Sequence, residues 1–78
     1  MADTYPGRQR DLSVSRTTIG NVAMSAGDFA AARSAYEASL TISSRLAALD
    51  PSNAQWRNDL QWVRQKLDEI GKSGQGQA

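Results

Sequence analysis

Carboxylates recur along the chain at Asp11, Asp28, Asp50, Asp59, Asp68 and Glu69, the side chains able to act as general acid or base. No two of them are spaced so that sequence alone implies a catalytic pair. Arg64, Asp68 and Lys72 step by four, which on a helix gives a line of solvated ion pairs. Gly71-Lys72-Ser73-Gly74 carries the Lys-Ser of a phosphate loop. It lacks the preceding glycine spacing and the strand that such a loop needs, so it reads as a helix stop. Arg8, Arg10 and Arg16, with Arg57, Arg64 and Lys66 further on, could follow a phosphate backbone, but acidic residues interleave with both sets. Nine Lys+Arg against eight Asp+Glu leave a net charge of +1, far from a nucleic-acid binder's basic balance. His and Cys are both absent. That removes Cys/His zinc sites, Ser-His-Asp and Cys-His nucleophiles, haem ligation through those residues, and disulfides. The expectation is a protein that is not an enzyme, with no catalytic residues, no cofactor, no metal and no nucleic-acid partner.

At 78 residues the chain makes one small domain. No apolar run approaches the ~18 residues of a membrane span, and MADTYPGRQR lacks the apolar core of a signal peptide. With no cysteine to oxidise, a reducing, cytoplasmic setting is expected and no membrane association.

Three segments have helical periodicity. The first, about 9–26, carries Leu12, Ile19, Val22, Ala23 and Ala26 on one face, with Ser15 filling the gap. The second, about 29–49, has two stripes, one through Phe29, Ala32, Tyr36, Leu40, Ser43 and Ala47, the other through Ala31, Ala35, Ala38, Ile42, Leu46 and Leu49. Two stripes imply a middle helix covered from two sides. The third, about 54–70, shows Trp56, Leu60, Val63, Leu67 and Ile70 in a 4-3-4-3 stripe. Gly27 suits a left-handed helix end and Asp28 the next N-cap. Pro51 disfavours helix at Asp50, and Ser52 with Gln55 reads as a capping box, with Asn53 as a rival cap. The fold class is all-α, three antiparallel helices in a domain over 9–71, between a flexible 1–8 and a disordered 72–78.

A repeat underlies this order. Asp11-Leu12 matches Asp59-Leu60, 48 positions on, and the same offset pairs Val14 with Trp62, Arg16 with Arg64, Ile19 with Leu67 and Val22 with Ile70. Helix three thus repeats helix one. Over about four-fifths of its length the chain resembles a tetratricopeptide (TPR) repeat, whose pattern is W-x2-L-G-x2-Y, then A-x3-F, then P. Ile19-Gly20 stands at the Leu-Gly pair, Ala32 and Tyr36 at the Ala-x3-Phe, and Pro51 closes the hairpin. Arg16 and Ala23 replace the bulky Trp and Tyr. The period of 48 exceeds the usual 34 by 14 residues, about four helical turns, as in an elongated bacterial-type repeat. Multiples of seven keep the apolar face in phase. The resemblance implies one helical hairpin plus a third, capping helix. Gly20 and Ala32 would be small where the backbones come close, with Tyr36 filling the space beside them.

Trp62 lies about 120° off the Trp56–Leu60–Val63 face, and Val14 is likewise off the first helix's apolar face. Through them runs a second line: Val14, Thr17, Thr18, Asn21 and Met24 on helix one, and Trp62, Gln65, Lys66 and Glu69 on helix three. The resemblance implies that this face lines a groove for an extended or helical peptide, with Asn21 placed to bond its backbone. The expected partner-binding residues are Val14, Thr17, Asn21, Met24, Trp62, Gln65, Lys66 and Glu69, and the expected partner is a protein or peptide. Trp62 packing into a small core is the other reading of that residue. One and a half repeats also leave apolar surface uncovered. Self-association into a homodimer, through an open edge on helix three, is therefore the alternative role.

Overall fold

The structure is a computed structural model that describes residues 6–76. It contains three α-helices, α1 (Pro6–Ser25), α2 (Phe29–Leu49) and α3 (Ala54–Gly76), so the fold is all-α. Residues 1–5 and 77–78, where parts of the expected flexible N-terminus and disordered tail fall, lie outside the described residues. Within them, helix starts three residues earlier and ends six later than periodicity alone indicated. Pro6 stands at the first helical position, where its missing N–H costs nothing.

Local chemistry accounts for the two turns. Gly27 has φ 77°, a conformation that a Cβ would strain. The Asp28 N–H donates to the Ala23 carbonyl (2.9 Å) and the Gly27 N–H to that of Met24 (3.0 Å). These paired bonds form a Schellman motif and satisfy two carbonyls at the end of α1. Asp28 then caps α2, its carboxylate accepting from the Ala31 N–H at 3.1 Å. At the second turn the Asn53 side chain accepts from the Trp56 N–H at 3.1 Å, which makes Asn53 the N-cap of α3. The expected Ser52 capping box does not form, because Ser52 is held by Asp50 through its N–H (3.2 Å) and hydroxyl (2.6 Å). Gly71 does not stop α3 either. Among the described residues, left-handed glycine occurs at Gly27 alone, and an ion pair from Lys72 to Asp68 (3.2 Å) spans the Gly71 turn.

α2 is the centre: α1 and α3 both pack on it and make few contacts with each other. The α1–α2 pairing is antiparallel, since Ser13 meets Ser43 and Ser39, Thr17 meets Ser39, and Gly20 meets Tyr36. The core comprises Ala23, Ala32, Tyr36, Val63 and Ile70, with Met24, Phe29, Leu40 and Leu67 packed against it. On α3 the apolar stripe faces α2 as periodicity indicated, with Val63 and Ile70 buried and Leu60 and Leu67 half-buried.

On α1 it does not. Of the expected face only Ala23 is buried, whereas Leu12, Ile19 and Val22 are 43%, 51% and 65% exposed, and Ser15 and Ala26 are exposed too. The line turned to α2 is instead Ser13, Thr17, Gly20 and Met24. The reason lies at Gly20, where an added Cβ would sit 2.5–2.8 Å from three carbons of the Tyr36 ring. Only glycine lets the ring lie against the α1 backbone, and that contact sets the rotation of the helix. We expect Gly20→Ala to lower stability by about 1–3 kcal/mol, the usual cost of overpacking, in urea melts followed by circular dichroism. Gly7→Ala, with nothing within 4 Å of the new methyl, serves as the control.

Candidate functional site

With α1 and α3 on the same middle helix but hardly touching, an open cleft of about 380 Å³ remains between them. α1 supplies Ser13, Val14, Thr17, Thr18 and Asn21 to its lining, α2 supplies Ser39 and Ser43, and α3 supplies Asp59 and Trp62. Four hydroxyls hydrogen-bond one another at the floor. Ser13 Oγ lies 2.8 Å from Ser39 Oγ and 3.1 Å from Ser43 Oγ, and Thr17 Oγ1 lies 3.0 Å from Ser39 Oγ. Ser13, Ser39 and Ser43 are buried, at 5%, 1% and 2% exposure. Such groups are tolerated inside only when partnered. Among the described residues no buried side-chain N or O lacks a partner.

Buried Tyr36 ties together two of the lining residues, Asn21 and Trp62. Its hydroxyl donates to Asn21 Oδ1 at 2.6 Å, and its ring meets that of Trp62 edge to face, 6.0 Å between centroids and 80° between planes. Burial pushes the Tyr36 phenol above its ordinary 10.0, and the Glu69 carboxylate adds to the effect. Trp62 is 38% exposed, with the Lys66 ammonium 5.3 Å from its ring centroid, a cation–π distance. Lys66 also reaches Glu69 Oε2 at 3.8 Å. Across the cleft, Arg10 Nε donates to Asp59 Oδ2 at 3.1 Å, with both partners about one-third exposed.

The residues expected to bind a partner divide accordingly. Val14, Thr17, Asn21 and Trp62 line the cleft together. Lys66 stacks over Trp62, with Glu69 paired to it. Met24 is turned to the core, and Gln65 is exposed without lining the cleft. Trp62 combines its two readings, since one edge packs on buried Tyr36 while more than a third of it faces solvent. Sequence reasoning missed Ser13, Ser39 and Asp59 as lining residues and credited Ser43 only to a packing stripe. The available signal was Ser39 three residues after Tyr36 and four before Ser43, a polar step beside an apolar stripe.

The floor hydroxyls have other hydroxyls and the Ser39 carbonyl as partners, and the Asp59 carboxylate is engaged by Arg10. Among the described residues no group of three or more His, Cys, Asp or Glu is placed to hold a metal, and no helix is long and apolar enough to cross a membrane. Comparison with protein-family models, with curated proteins and with solved structures finds no match to this chain.

Two outcomes follow. Ser13→Ala strands the Ser43 hydroxyl and removes one partner from Ser39, and is expected to cost about 1–3 kcal/mol, whereas replacing Ser13, Ser39 and Ser43 together by Ala should cost less than the sum of the single changes. Chemical denaturation of the four variants checks this. Stability is also expected to hold below pH 10 and fall above it, because the unfolded chain releases the phenol proton there while folded Tyr36 keeps it. Melting Tyr36→Phe alongside, from pH 8 to 11, should show a shallower decline.

Proposed function

We propose that this domain is a non-catalytic protein-interaction module that takes a peptide, or a segment of a partner protein, in the cleft between α1 and α3. The observation that carries the reading is Trp62, more than one-third exposed beside a cleft lined by hydroxyls and the Asn21 amide. Tryptophan gives contact area at low conformational cost, and hydroxyls and amides can meet main-chain N–H and C=O groups. The Asn21 carbonyl is committed to Tyr36, which leaves its NH2 as the group to donate to a ligand. Assignment to a TPR-like hairpin with a third capping helix belongs to the same proposal. It is supported by the close approach of Tyr36 to Gly20, which is the role that the resemblance implies for those positions.

Self-association through an open α3 edge has less support. Among the described residues the large exposed apolar side chains are Leu12, Val14, Ile19 and Val22 on α1, Leu49 on α2 and Trp62 on α3.

Selection from a displayed random-peptide library, followed by titration of each peptide against tryptophan fluorescence, tests the proposal. Thr18→Arg fills the cleft from an exposed position, and Trp62→Ala removes the aromatic wall. Each is expected to weaken binding at least tenfold while Thr18→Arg leaves helicity and melting unchanged. Failure to enrich any peptide, or binding that neither substitution weakens, overturns the reading.

A further inference from the structure

The side of the α1–α2 hairpin away from α3 is a second surface, and its chemistry is opposite to that of the cleft. With Ser13, Gly20 and Met24 turned to α2, and Val14, Thr17 and Asn21 turned to the cleft, a step of about 100° per residue puts Leu12 and Ile19 on the reverse side. Val22 lies beside them, turned outward. On α2 the same geometry places Ala31, Ala38 and Leu49 on that side. Leu12, Ile19, Val22 and Leu49 are 43–67% exposed, Ala31 is exposed, and Ala38 is half-buried. Arg16 stands between Leu12 and Ile19 on the α1 ridge and Arg45 between Ala38 and Leu49 on α2, both exposed, so each apolar ridge also carries one cation.

The internal repeat shows what such a stripe does when it is covered. Leu12, Ile19 and Val22 stand 48 positions before Leu60, Leu67 and Ile70, the α3 residues packed towards α2, where Ile70 is 3% exposed. The converse comparison gives a direction. Ser13, Thr17, Gly20 and Met24 of α1 correspond to Gln61, Gln65, Asp68 and Lys72 of α3, all polar and exposed. The α3 side is finished in water, and the reverse of the hairpin is not.

We infer that this reverse face is the contact surface of a homodimer, in which two hairpins pack back to back about a two-fold axis. Area decides between one helix and two. Helices of 20 and 21 residues are about 30 Å long and about 10 Å across, so the two-helix face offers roughly 600 Å² per copy. The pair then buries roughly 1,200 Å², the lower edge of what specific interfaces need, whereas α1 against α1 alone would bury about half of that. A net charge of +1 leaves little long-range repulsion between copies, and Arg16 and Arg45 can lay their apolar stems on the seam while their charged ends stay in water. The surface is separate from the cleft, which stays open in the dimer.

Light scattering and sedimentation of the wild type from 1 µM to 1 mM test the dimer, with Ile19→Lys and Val22→Lys as variants. Both positions are more than half exposed, and circular dichroism checks that the variants stay folded. The expected result is twice the monomer mass at high concentration and a dissociation constant raised at least tenfold in each variant. The chain has no cysteine, so Ser15→Cys and Gln65→Cys give clean single sites for a short bis-maleimide. Cross-linked dimer is expected from the first, on the reverse face, and not from the second. Thr18→Arg, in the cleft, should leave the dimer intact. A monomer throughout the range, or cross-linking at Gln65→Cys in preference to Ser15→Cys, overturns the inference.

Discussion

The arrangement of all three helices depends on the Tyr36 ring lying against bare backbone at Gly20. That single side chain reaches every element: it springs from α2, touches Gly20 and bonds Asn21 on α1, and meets Trp62 on α3. Because the glycine must face the ring, α1 can take one rotation only. Everything else on α1 follows from it. Ser13 and Thr17 turn to the α2 serines, Val14 and Asn21 turn to α3, and the Leu12–Ile19 ridge is carried to the outside.

Small residues on the α1–α2 seam give the site its character. A seam of leucines would have kept the helices further apart and made the floor apolar. Hydroxyls let them approach and lend the seam a polar pattern, in which each group has a specific partner. Such bonds are worth little net stabilisation each, but they are costly to leave unmade. They therefore act on specificity more than on strength, because sliding the helices would orphan buried oxygens.

Much of the fold could be read from residue order. Gly27 and Asp28 marked the first turn by their backbone preferences, and the α3 stripe fell on the buried side because its five large residues leave only one face to bury. On α1 the same method pointed the wrong way. Periodicity weighs side chains by hydrophobicity, so it chose Leu12, Ile19 and Val22 over a line of Ser, Thr and Gly. The winning term was steric fit to an aromatic ring on another helix, which no single-helix pattern contains. Part of the cleft was legible for a related reason. Val14, Asn21 and Trp62 stood out as misfits to their own stripes, whereas the serines supplied by α2 belong to the site only once two helices are brought together. Second-turn capping was ambiguous locally, and Asp50 decided it by binding Ser52 and leaving Asn53 to cap.

Neighbour-only packing has a kinetic side. Each helix leans on the one adjacent in sequence, and α1 and α3, which make few contacts, are joined by the Arg10–Asp59 pair. Contacts of such short range close small loops, and chains built from them fold quickly for their stability. They also open in pieces. An outer helix can lift from α2 without dissolving the remaining hairpin, so the two walls of the cleft are free to have different opening rates.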